Sequence, residues 1–161
     1  MRRLTHTIVN LGLFVLCFIL FDSCVYHQLK DENFTFKQLP NARWEAGQSV
    51  SFDMLVEAYQ QPYSCDLILR HNNDYKYTRI KFIYDISLNG DLVETDTVTQ
   101  SLVNEHNQWI GKGISLREVP ICLFRKKRMN RAGVYTVKLR TPLHNVPLPG
   151  VESIGLRLWK E

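Results

Sequence analysis

Cysteine is scarce in this chain: four in 161 residues, too few for a small domain held by a disulfide framework. Charge of one sign is scarce too. Twenty Lys+Arg stand against sixteen Asp+Glu, and a net +4 spread along the chain gives no reason to expect a nucleic-acid partner. Long apolar runs are missing, the longest being the eleven residues from Leu11 to Phe21. The familiar signatures of chemistry are missing as well. There is no zinc-type His pair, no Cys-x-x-Cys, no Gly-x-Ser-x-Gly elbow and no phosphate-cradling glycine loop. The sequence therefore reads as a non-enzyme with no catalytic residues, no metal and no cofactor. Its 45% apolar and 22% charged residues exclude both disorder and a multi-span membrane protein. Its length suits about one domain.

What is present first is an address. Arg2 and Arg3 precede the apolar run, which as a helix of eleven residues rises only about 16 Å against a hydrocarbon core of about 30 Å. That length suits a secretory h-region better than a membrane span. The run ends at Phe21-Asp22-Ser23-Cys24, which looks like a bacterial lipobox, with a small residue before a cysteine that is acylated and becomes the first residue. This gives a lipoprotein signal peptide over 1–23, a lipidated tether over 24–33 and a folded domain over 34–161. An uncleaved signal anchor is the competing reading. Lys30-Asp31-Glu32 resembles a charged surface-export tag, with a solvated linker as the plainer explanation. The expected location is the cell envelope, lipid-anchored to a membrane and either periplasm-facing or surface-exposed.

Beyond the tether the hydrophobic period is two rather than 3.6. Val50, Phe52, Met54 and Val56 alternate with polar residues, as do Tyr63, Cys65, Leu67 and Leu69. Ile80, Phe82, Tyr84, Ile86 and Leu88 form the clearest apolar face. Tyr135 to Leu139 and Ile154 to Leu158 repeat the pattern, and Phe34/Phe36, 92–103 and 114–124 are weaker candidates. Asn89-Gly90 reads as a two-residue hairpin turn, since both central positions of a type I′ turn need positive φ. Strands with one polar and one apolar face must bury the apolar face against a second sheet. The fold expected is all-β: an antiparallel two-sheet β-sandwich, jelly-roll or immunoglobulin-like in connectivity.

Several residues are candidates for more than packing. Arg125, Lys126, Lys127, Arg128 and Arg131 read as a basic loop, solvated or in contact with lipid head groups or an acidic partner. Cys65 and Cys122 could form a disulfide in an oxidising compartment or remain buried thiols. Asp96-Thr97-Val98 matches a short O-glycosylation sequon at Thr97. His27, His71, His106 and His144 are scattered and read as ordinary histidines. Asp91, Glu94 and Asp96 share one hairpin arm and read as a solvated edge strand rather than a calcium site.

A family resemblance rests on short motifs in order: Leu69-Arg70-His71-Asn72, Tyr75-Lys76-Tyr77, Asp96-Thr97, Asn107 to Gly113, and Leu148 to Leu158. Together with the lipobox these resemble the gliding motility lipoprotein GldH family of Bacteroidetes. Some members of that family carry Gly where this chain has Asn107. The resemblance implies a non-enzymatic envelope lipoprotein, a structural or adaptor component of the gliding and secretion apparatus, bound to the membrane by its lipid and to other envelope proteins of that machinery. Trp109 with Gly111, Lys112 and Gly113 is the expected partner-binding loop, since small residues admit a partner backbone and an indole supplies contact area. Capping of the core by Trp109 is the competing role. A carbohydrate-binding module is the alternative function, with a glycan stacked on Trp44, Tyr75 or Trp109. An envelope hydrolase would need His71 or His106 beside a carboxylate.

Overall fold

The computed structural model describes residues 32–143 and 145–161; the expected signal peptide, Cys24 and His27, most of the expected tether, and His144 lie outside the described residues. Residues Asn33–Glu161 form one compact unit. Its strands are β1 (Glu32–Gln38), β2 (Arg43–Trp44), β3 (Ser49–Val56), β4 (Pro62–Asn72), β5 (Arg79–Leu88), β6 (Asp91–Ser101), β7 (Leu116–Arg128), β8 (Gly133–Arg140), β9 (Leu148–Pro149) and β10 (Val151–Lys160). One short 3-10 turn, Pro40–Ala42, accompanies them.

Two four-stranded sheets carry the fold, in the orders β1-β10-β4-β7 and β3-β8-β5-β6, with β2-β9 as a separate two-stranded ribbon. Only β5 and β6 are consecutive strands paired in one sheet; every other long connection crosses between sheets. An immunoglobulin sandwich pairs consecutive strands within its sheets more than once. The order observed here is that of a jelly roll, which settles the connectivity that periodicity left open. The β5–β6 turn is the expected hairpin, with Asn89 at φ 53° and Gly90 at φ 93°.

The core lies between the sheets. Ile80, Phe82, Tyr84, Ile86 and Leu88 are all buried, facing Leu67, Leu69, Ile121, Ile154 and Leu156 of the other sheet. The Tyr84 hydroxyl donates across the sandwich to the Leu123 carbonyl at 3.4 Å, and burial pushes its pKa up to about 12. Alternation failed in one place. Ser64, Asp66, Ile68 and Ser153 occupy the outer face of the first sheet and are nonetheless buried. Long side chains lie over that face. Phe36 covers the position of Gly155, where an added Cβ would meet its ring at 2.6 Å. The Arg70 guanidinium sits 3.8 Å from the Phe36 ring, and Arg125 reaches Asp66 at 2.5 Å while lying over Trp159. Snorkelling cations and aromatic rings thus roof a surface that periodicity assigned to water.

Of the two states left open for Cys65 and Cys122, the structure has both thiols free. Cys65 points into the core, whereas Cys122 is exposed in register with Asp66 on the outer face, and thiols on opposite faces of a sheet cannot meet. The basic segment is not a loop: Arg125, Lys126, Lys127 and Arg128 complete β7, and only Arg131 lies in the turn that follows. Arg125 is paired with Asp66 and Lys127 with Glu94 on β6.

Crossing connections sort the loops by length. At one end, the turn end, lie the short links 57–61, 89–90 and 129–132. At the other, the loop end, lie 39–48, 73–78, 102–115 and 141–147 together with the β2-β9 ribbon.

Candidate functional site at the loop end

The segment from Leu102 to Ser115 connects β6 to β7 and is built as a small folded unit. Asn104 organises its tip: its backbone N–H donates to Gln108 O at 2.8 Å, and its Oδ1 accepts from the backbone N–H groups of His106 and Gln108, both at 2.9 Å. Asn107 stands at φ 57°, a left-handed conformation that Asn tolerates and Gly favours. Asn here therefore serves a turn position that glycine would also fit. Below the tip, Val103 and Trp109 form an antiparallel bridge, as do Lys112 and Glu118.

Gly111 and Gly113 are required by this unit itself. A Cβ on Gly111 would lie 2.6 Å from the Glu118 carbonyl oxygen, and one on Gly113 would lie 1.9 Å from that of Leu116. The backbone that approaches them is the chain's own, so their missing side chains let the loop close on the start of β7 rather than making room for a visitor. Beyond them lies a second, apolar tip: Ile114 is 86% exposed and Leu116 beside it 43%. Arg117 ties the tip down, donating to the Ile114 carbonyl at 2.8 Å and to Asn73 Oδ1 at 3.0 Å. Lys112 is exposed next to it.

Trp109 is half-buried and packs against the core. Its ring centroid is 5.1 Å from His71, and His71 lies 5.3 Å from Tyr75, which in turn meets Tyr77 edge-on at 5.6 Å. The Tyr75 hydroxyl donates to Arg79 O at 3.2 Å. Beside this aromatic row opens an apolar cleft of about 200 Å³ lined by Tyr75, Tyr77, Ile80, Pro142, Leu143 and Leu148. Asn72 joins the same end to β10, its Nδ2 donating to Glu152 at 2.7 Å and its N–H to Gly150 O at 2.8 Å. Four of the five separated motifs on which the family resemblance was read therefore meet at the loop end: the end of Leu69 to Asn72, Tyr75 to Tyr77, Asn107 to Gly113, and the start of Leu148 to Leu158; Asp96-Thr97 lies midway along β6.

His71 is buried. Its Nδ1–H donates to Asn72 O at 3.2 Å, while Nε2 has no hydrogen-bond partner among the described residues. Burial lowers its pKa below the usual 6.5, helped by the nearby Arg117 charge and opposed by the Asn72 carbonyl. The unfolded chain then binds a proton that the folded one refuses, so stability falls with falling pH. A thermal midpoint that declines as pH drops below 6.5, with a shallower decline in His71→Phe, is the expected result of thermal melts across that range.

Other singled-out residues lie elsewhere. Thr97 is exposed on edge strand β6, its N–H bonded to Asp96 Oδ1 at 2.7 Å. His106 is exposed on the 104–108 turn. Trp44 and Tyr75 are buried and Trp109 is half-buried, so the three rings named for sugar stacking form no exposed coplanar stripe. Among the described residues no group of three or more His, Cys, Asp and Glu is placed to hold a metal, and no helix is long and apolar enough to cross a membrane. Ile114 was missed as a site residue because the sequence shows only an apolar residue at the start of a candidate strand.

A family model described as "GldH lipoprotein" matches residues 33–158. The chain is 22% identical over 156 residues to the "Gliding motility lipoprotein GldH homolog" of Christiangramia forsetii, covering 92% of this chain and 93% of that one. It is 27% identical over 149 residues to the "Gliding motility lipoprotein GldH" of Flavobacterium johnsoniae, covering 91% and 90%. Among solved structures it is similar to the infectious bursal disease virus VP2 subviral particle, with TM-score 0.37 and 11% identity over 79% of this chain and 32% of that chain.

Proposed function

The chain belongs to the GldH lipoprotein family, and on that premise we propose that its jelly roll is a non-enzymatic adaptor of the gliding and secretion apparatus, held in the cell envelope by a lipid on Cys24. Its partner is another envelope protein, and the loop end is where the two meet. One observation carries this reading: the loop end presents Ile114 at 86% exposure on a segment pinned by the Lys112–Glu118 bridge and by the Arg117 bond to the Ile114 carbonyl. A rigid apolar tip beside a half-buried tryptophan is a cheap surface for recognition, because little side-chain or backbone entropy remains to be lost on binding. Against a hydrolytic role for His71, its ring contacts are Tyr75 and Trp109. The glycan alternative loses its platform with Trp44 and Tyr75 in the core.

The test is affinity purification of the tagged lipoprotein from envelopes, wild type beside Trp109→Ala. Truncating a tryptophan at an interface typically costs about 2 kcal/mol, or about thirtyfold in affinity. Loss of a co-purifying envelope protein from the Trp109→Ala sample at an unchanged thermal midpoint supports the reading, and a large fall in midpoint assigns Trp109 to the core instead. Undiminished recovery removes Trp109 from it.

A further inference from the structure

The turn end of the sandwich bears three features that the adaptor reading does not use. First, the folded unit begins there. Phe36 packs on Gly155 and the Leu39 N–H bonds to Glu152 O at 2.9 Å, so β1 runs against β10 and its first residues lie level with Trp159 and Lys160, where β10 ends. Second, cations gather there. Arg125 and Lys127 are neutralised by Asp66 and Glu94, but Lys126, Arg128 and Arg131 make no ion pair among the described residues. Third, apolar side chains stand in water there. Leu92 is 65% exposed and Val93 43% at the start of β6, Val134 47% at the start of β8, and Tyr59 41% in the 57–61 turn.

We propose that the turn end is a membrane-docking face that seats on a surface of anionic lipid head groups. This rests on the reading that Cys24 is acylated. From Cys24 to Asn33 the chain reaches at most about 32 Å when fully extended, so a lipid at Cys24 keeps the entry point of the fold close to the head groups. The end that the chain enters is then the end that meets the bilayer. Unpaired Lys and Arg near such a surface are drawn to phosphates, and exposed Leu, Val and Tyr side chains enter the boundary layer. Glu57, Asp91 and Glu161 also lie at the turn end, so the attraction comes from the local cluster at 126, 128 and 131 rather than from net charge. With its turn end seated, the sandwich holds Ile114 at its far end, a strand length away from the bilayer, facing a partner. Anchor and recognition surface are thus separated along the strands.

The experiment uses the full-length acylated protein, with Cys122→Ser, reconstituted in phosphatidylcholine vesicles with and without phosphatidylglycerol. A fluorophore is placed at Leu92→Cys or at Ile114→Cys, and head-group-labelled lipid is the quencher. Stronger quenching at position 92 than at 114, increased by phosphatidylglycerol, is the expected result. Reversing charge with Lys126→Glu, Arg128→Glu and Arg131→Glu together is expected to abolish the increase caused by phosphatidylglycerol. Equal quenching at the two positions, or stronger quenching at 114, overturns the docking face while leaving the anchor intact. Failure of the protein to float with vesicles of either kind overturns the anchor reading and the docking face with it.

Discussion

Replacing Gly150 with alanine is expected to destabilise the protein by about 3 kcal/mol, the sum of a left-handed backbone penalty near 1 and an overpacking term near 2. Gly150 has φ +82°, and a Cβ there would stand 2.2 Å from the Tyr75 nitrogen, 2.7 Å from its Cα and 2.8 Å from the Asp74 carbonyl carbon. All three are backbone atoms, so no side chain can swing aside. The same glycine accepts from the Asn72 N–H at 2.8 Å and donates to Ala42 O at 2.8 Å, which fastens the β2-β9 ribbon to the aromatic row. For a domain of this size the loss lowers the thermal midpoint by about 10 °C. Gly47 supplies the control. It has φ +74° but nothing within 4 Å of an added Cβ, so its alanine variant should lose only the backbone penalty of about 1 kcal/mol. Equal losses in the two variants, measured by urea unfolding, would show that crowding at Gly150 is absent.

Trp44→Ala is expected to cost still more, about 3–5 kcal/mol, as truncations of fully buried aromatic residues do. The Trp44 side chain is 0% exposed, and its Nε1–H donates to Gln48 O at 3.0 Å. Truncation removes packing from the core and leaves the Gln48 carbonyl to find water. Urea unfolding again provides the measurement. A ring reserved for sugar stacking would behave in the opposite way, leaving stability nearly unchanged and abolishing glycan binding.

Where the sequence could be read, one physical regularity made it legible. Strands with a single buried face repeat every two residues, so Ile80 to Leu88 and Val50 to Val56 were plain, and Asn89-Gly90 marked its own hairpin. Connectivity was not legible, because period-two patterns say which face a strand buries and nothing of which strand it lies beside. Periodicity also failed on β4, where Ser64, Asp66 and Ile68 look solvent-facing but are roofed by residues distant in sequence. The basic run failed for a related reason: Asp66 and Glu94, which neutralise two of its charges, come from other strands. At the loop end, Trp109 was legible as a large ring among glycines. Its aromatic neighbour His71 and the stiff Ile114 tip were not, since both depend on how 73–78 and 102–115 fold against each other.

Recognition by the loop end is tested most directly by Ile114→Asp. Ile114 is so exposed that the change should leave the thermal midpoint nearly where it was, within about 0.5 kcal/mol of stability. At an apolar contact the same change puts a desolvated carboxylate into the interface, so recovery of the envelope partner should fall by an order of magnitude or more. The decisive measurement is therefore quantitative co-purification from envelopes of wild type and Ile114→Asp, with thermal melts of both. Lost recovery at unchanged stability is the result predicted here. Full recovery of the same partner by the Ile114→Asp protein would contradict it.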